Sequence, residues 1–136
     1  MVNSENDVGC FVVDDDICYA GKHLLIDLYD CGYHGSIEEI EDVMKQACIA
    51  TGATILHSYL HPFNGGGVSG AVILAESHCT IHTWFLEKFI ALDIFVCGKC
   101  DPYLAVPILE SHFKPGMTKI SLEKRGIMPY NLHSDH

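Results

Sequence analysis

Hydrophobic and polar positions alternate along "GKHLLIDLYDC" (residues 21–31), which predicts a strand with Leu24, Ile26 and Leu28 on one face. "GYHGS" breaks that alternation. The period then becomes helical in "SIEEIEDVMKQACIATG", where Ile37, Ile40, Val43, Met44, Ala47 and Cys48 form one apolar stripe. Ser36 with Glu39 three residues on reads as a capping box, and Gly52 as the stop. "ATILHSYLHPF" (53–63) is a second strand, ended by a turn at "NGGG" (64–67). "VSGAVILAE" (68–76) and "HCTIHTW" (78–84) are two further extended segments, interrupted at Glu76–Ser77, and "FIALDIFVCG" (89–98) is another strand. In "DPYLAVPILESHF", Asp101 is an N-cap and Pro102 the first helical residue, while Pro107 must kink the helix or delay its real start. "TKISLEKRGI" closes the pattern as an edge strand, and residues 1–20 form a loose or strand-like arm. These elements predict an α+β fold. It is a two-layer α/β sandwich in one domain (1–136), with a mainly antiparallel sheet and helices on one face.

Composition narrows the function classes. The chain has 136 residues, nearly half of them hydrophobic and 19% charged, which suits a globular domain. Its longest apolar runs are strand-sized, too short to span a bilayer, and "MVNSENDVGC" has no signal-peptide pattern. The formal net charge is −10 and Arg125 is the only arginine, so neither nucleic acid nor a membrane surface is an expected partner. An acidic surface favours a cationic small molecule. Seven cysteines, an odd number at irregular spacing, imply thiols in a reducing cytoplasm and no disulfide framework.

Several motifs have ordinary explanations. "CGKC" (97–100) lies between a strand and a helix, as a redox pair would, but no second pair of soft ligands completes a zinc site. His57 and His61, like His78 and His82, are four residues apart; on strands that separates them by about 13 Å, so no metal is expected. "GVSGA" does not match a nucleophile elbow, and "NGGG" precedes no helix that could help it hold phosphate.

"AESHCTIHTW" (75–84) stands apart. It places a carboxylate, a hydroxyl, two imidazoles, a thiol and the only tryptophan between apolar strands. Polar groups there are costly unless bonded or used. One reading is a hydrogen-bonded polar strand pair. The other is chemical. The Ser77 hydroxyl attacks the peptide bond after Glu76, the resulting ester eliminates, and the dehydroalanine hydrolyses to a pyruvoyl group. That group is an electrophile able to form a Schiff base with an amine.

Beyond these residues, "GVSGAVILAESHCTIHTW" followed by "DIFVCG" resembles the short bacterial and archaeal S-adenosylmethionine decarboxylase proenzymes, from "GKHLLIDLYDC" through "KRGI". The resemblance implies self-cleavage between Glu76 and Ser77, giving a β chain (1–76) and an α chain (77–136) that starts with a pyruvoyl group derived from Ser77. It further implies that His82 is the base of processing, Ser69 helps position the cleavage and Cys97 returns a proton after decarboxylation. Phe63 and Trp84 would sandwich the adenine, within a homodimer built around facing sheets.

One departure bears on the substrate. The family continues "HTW" with proline and a ribose-binding glutamate; this chain has Phe85 and Leu86, with Glu87 one position late. On a continuing strand that shift turns the carboxylate to the opposite face. Decarboxylation of ornithine or arginine by the same pyruvoyl chemistry is therefore the alternative. Glu87, Asp93 or an acid of the N-terminal arm would then hold the distal cation. An uncleaved binding paralogue on the same fold is the second alternative.

Overall fold

The computed structural model describes residues 12–14 and 17–129. Residues 1–11 of the N-terminal arm lie outside the described residues. Strands β1 (Val12–Asp14) and β2 (Ile17–Tyr19) pair with each other, and β2 pairs with β9 (Met128–Pro129) in a small sheet. The main sheet contains β3 (Gly21–Tyr29), β4 (Ile55–Pro62), β5 (Val68–Leu74), β6 (Ser77–Trp84), β7 (Phe89–Cys97) and β8 (Met117–Arg125). Its order is β4-β5-β6-β7-β3-β8, with every neighbouring pair antiparallel.

Helix α1 (Ile37–Ala50) begins as its sequence requires. Ser36 Oγ accepts from the Glu39 N–H at 3.1 Å, and Glu39 Oε1 accepts from the Ser36 N–H at 2.8 Å. Ile40, Val43, Met44, Ala47 and Cys48 are its buried face. The second helix starts later than Asp101–Pro102 alone would suggest. Residues Pro102–Ala105 form one 3-10 turn, and α2 runs over Val106–Phe113 with Pro107 in its first turn. A proline is tolerated there because the N–H it lacks would have no intrahelical partner.

Both helices cover the same face of the sheet. Leu24, Ile26 and Leu28 of β3, Cys79 and Ile81 of β6, and Ile90, Leu92, Ile94 and Val96 of β7 form one core with α1, Leu109 and Phe113. Each fully buried aliphatic side chain contributes roughly 1.5–3 kcal/mol. Strict alternation then sends His23, Leu25 and Asp27 of β3, His78, Thr80, His82 and Trp84 of β6, and Ala91, Asp93, Phe95 and Cys97 of β7 to the face without helices. Strand β8 is an edge, as its pattern indicates, and β4 is the other.

The cysteines behave largely as hydrophobes. No disulfide forms among Cys18, Cys31, Cys48, Cys79, Cys97 and Cys100. A hydrogen bond with Cys48 and burial raise the Cys79 thiol well above its ordinary value, and burial beside Asp30 pushes Cys31 up to about 11. Both remain protonated core groups. Among the described residues, no helix is long and apolar enough to cross a membrane.

Candidate active site

The Glu76–Ser77 bond lies at the tightest point of the sheet. Leu74 pairs with Ser77, so Ala75 and Glu76 alone connect β5 to β6. Two-residue hairpins favour turns with positive φ, because those match the twist of the strands. Neither Ala75 nor Glu76 has positive φ; Ser77 does, at φ 150°, where side chains rarely sit. Such a backbone stores about 1–3 kcal/mol. The Glu76 carboxylate holds the turn from outside, accepting the Thr54 N–H at 2.9 Å, while the Ala75 N–H bonds the Thr54 carbonyl at 2.9 Å.

Around Ser77 the open face is densely polar. Ser77 Oγ lies 3.1 Å from His78 Nδ1, and His78 Nε2 lies 3.7 Å from Asp93 Oδ2. His23 Nε2 meets the same carboxylate oxygen at 2.5 Å, and the Thr80 hydroxyl donates to Asp93 Oδ1. Arg125 Nη1 is 3.0 Å from His23 Nδ1. A guanidinium can only donate, so His23 Nδ1 accepts and its Nε2 carries the proton given to Asp93. Phe95 packs against both imidazoles, its centroid 5.3 Å from His23 and 5.8 Å from His78. Cys97 ends β7 one residue beyond Val96, the partner of Ser77, so its thiol belongs to this end of the sheet.

His23, His78 and Asp93 bring three ligand atoms within 4.8 Å of one another, a spacing that a cation would need. The hydrogen bonds work against such an ion: His23 has its proton on the nitrogen facing Asp93, and Arg125 adds positive charge beside it.

A second group occupies the other end of the same face. Ser69 pairs directly with His82. The His82 ring stands between two aromatic planes, 6.2 Å from Phe63 and 4.1 Å from Trp84. A cleft of about 380 Å³ opens here, lined by Phe63, Gly67, His82, Trp84, Leu86 and Glu87 among others. The Thr83 hydroxyl accepts the Val68 N–H at 2.9 Å and fixes the start of β5 below that cleft.

Strand β6 ends at Trp84, and residues 85–88 form a turn closed by the Lys88 N–H to the Phe85 carbonyl. The alternation that would send Glu87 away from the Phe63 and Trp84 rings therefore does not extend to it, and Glu87 lines the same cleft as both. This corrects the expectation drawn from a continuing strand.

The candidate residues thus form two sets. Ser77 and Cys97 lie at one end; Ser69, His82, Phe63, Trp84 and Glu87 lie at the other. Ser77 and His82 are five strand residues apart, about 16 Å. The Asp93 network was not legible as a site in the sequence. Its signals were weak ones: His78 directly follows Ser77, and Asp93 is the lone charge inside "FIALDIFVC".

Comparison with known proteins gives a consistent family assignment. The sequence profile described as S-adenosylmethionine decarboxylase matches residues 22–126. The S-adenosylmethionine decarboxylase proenzyme of Syntrophomonas wolfei is 38% identical over 79% of this chain and 88% of its own length. That of Fervidobacterium nodosum is 42% identical over 78% of this chain and 80% of its own. A crystal structure of the adenosylmethionine decarboxylase from Aquifex aeolicus VF5 superposes with a TM-score of 0.71 at 30% identity, covering 79% of this chain and 92% of that one.

Proposed function

The chain belongs to the S-adenosylmethionine decarboxylase family, and from that premise we propose that it is a self-processing, pyruvoyl-dependent decarboxylase of S-adenosylmethionine. In this reading it acts in the cytoplasm and supplies decarboxylated S-adenosylmethionine for polyamine synthesis. Cleavage between Glu76 and Ser77 divides the single domain into a β chain (1–76) and an α chain (77–136). The observation that carries the reading is Ser77, a non-glycine residue at φ 150° immediately after a two-residue turn, with its hydroxyl beside an imidazole. Backbone strain at a bond is released when that bond breaks, so it favours cleavage there.

Residue 77 would carry the prosthetic group, at the end of the sheet where Cys97 also stands. The group supplies an electrophilic carbonyl that takes up the substrate amine and the electron pair left by the departing carboxylate. Cys97 donates one proton to the carbon that lost its carboxylate. Ser69 and His82 serve processing, with His82 the base that removes the Ser77 Cα proton. Phe63 and Trp84 hold the adenine, and Glu87 accepts from the ribose hydroxyls. The aromatic row and the carboxylate along one cleft support that assignment.

The gap of about 16 Å between Ser77 and His82 supports a homodimer with facing sheets, in which each site takes Ser77 and Cys97 from one protomer and His82 with the adenine cleft from its partner. Exposed apolar side chains on the open face point the same way: Leu25, Tyr59, Ile73 and Trp84 are 41%, 63%, 42% and 39% exposed. Neither ornithine or arginine decarboxylation nor an uncleaved binding role finds support among the relatives, which are named S-adenosylmethionine decarboxylase proenzymes.

Mass spectrometry of purified protein tests the processing, and carbon dioxide release from each candidate substrate tests the rest. Two chains meeting at Glu76–Ser77 and turnover of S-adenosylmethionine are expected. An intact chain after long incubation, or turnover of ornithine or arginine alone, would refute the assignment.

A further inference from the structure

The molecule carries a polar network that the roles above leave unused. His82 is about five strand residues from Ser77 of its own chain and is assigned to the later Cα proton, whereas the group standing at the attacking hydroxyl is His78, 3.1 Å away. We propose that His78 is the general base that activates the Ser77 hydroxyl in the first step of self-cleavage, with Asp93 and His23 as the groups that orient it.

The wiring supplies what such a base needs. Arg125 donates to His23 Nδ1, and His23 Nε2–H donates to Asp93 Oδ2 at 2.5 Å. Thr80 donates to the other carboxylate oxygen. These bonds hold the Asp93 side chain facing His78 Nε2 at 3.7 Å. A carboxylate on that side selects the tautomer with its proton on Nε2, which leaves the Nδ1 lone pair directed at Ser77 Oγ, 3.1 Å away. Phe95 and the edge of the His23 ring fix the imidazole plane, with centroids 5.8 and 6.0 Å from His78. Base and strained attacking residue are neighbours on β6, and the orienting carboxylate comes from the adjacent β7.

The step balances without a co-reactant. The Ser77 Oγ–H proton passes to His78 Nδ1 as Oγ bonds to the carbonyl carbon of Glu76. The Glu76–Ser77 C–N bond then breaks, and the proton returns from His78 to the departing Ser77 nitrogen. The product is an ester with a free amine. His78 ends neutral, and Asp93 stabilises the imidazolium between the two transfers. Later removal of the Cα proton is a separate event, which leaves His82 its own role.

This proposal rests on the self-cleavage reading, and the experiment separates the two. Chains made by cell-free synthesis are followed over time on gels, with and without hydroxylamine, which cleaves an ester but not an amide. Replacing the base in His78→Asn keeps a polar atom near the Nδ1 position but removes its proton uptake. Cleavage should slow by about 10²–10⁴-fold, with no hydroxylamine-sensitive ester. His82→Ala should instead stall as the ester and be cut by hydroxylamine. Added imidazole should restore cleavage in His78→Gly and leave Ser77→Ala intact. Asp93→Asn should slow cleavage and regain nothing from imidazole, because His78 is still present. Normal thermal melts show which variants are folded. Wild-type cleavage with His78→Asn at a similar rate overturns the proposal while the processing reading stands. So does folded His78→Gly that imidazole cannot rescue. An intact wild type overturns both.

Discussion

Two inactive variants should repair each other if each site is built from two protomers. The perturbations are Ser77→Ala, which removes the cleavable residue, and His82→Ala, which removes the distant base. Along β6 these positions are five residues apart, about 16 Å at about 3.3 Å per residue. Proton transfer needs the heavy atoms about 3 Å apart. A rotation of the imidazole moves its nitrogens by only a few ångströms, so it cannot close that gap within one chain. Each variant alone should remain a single chain or an unresolved ester. When the two are co-expressed, the Ser77→Ala protomer presents an intact His82 to the Ser77 of its partner. Random pairing puts about half of the His82→Ala chains opposite such a partner, so about half of them should be cleaved. In dimers isolated through two different affinity tags, almost all should be. Mass spectrometry of each tagged chain reads the result directly. Isolated mixed dimers that stay uncleaved, or His82→Ala processing alone at the wild-type rate, would refute the shared arrangement.

Two further outcomes follow from the cleft and the buried imidazole. Glu87→Gln should raise KM for S-adenosylmethionine with little change in kcat, by roughly ten- to a hundred-fold for a lost charge-assisted contact of about 1.5–3 kcal/mol; steady-state kinetics on processed enzyme checks this, and an unchanged KM removes Glu87 from the ribose site. His34 has both ring nitrogens buried without a hydrogen-bond partner, and burial with His112 nearby lowers its pKa from 6.5. The unfolded chain therefore binds the proton first as pH falls, so stability decreases as pH drops through about 6.5 and below. His34→Phe should flatten that slope in urea denaturation compared between pH 7.5 and 5.5, and an unaltered slope would assign the effect elsewhere.

The sequence determined what is local. The α1 capping box, the Pro102 start and the alternation of β3 depend on residues a few positions apart, so the pattern alone fixes them. The motif around Ser77 was legible in the same way. What the sequence left open depends on contacts between distant segments. Nothing local places β3 between β7 and β8, yet that order sets His23 beside Asp93, seventy positions apart in sequence. Strand alternation could not reveal that β6 stops at Trp84 and that the following turn leads Glu87 back to the aromatic cleft. Nor could adjacency in "ESHCTIH" show that the Ser77 hydroxyl meets the His78 imidazole. A strand extends about 3.3 Å with each residue and alternates its faces, so residues close in sequence are carried apart, while sheet register brings remote ones together.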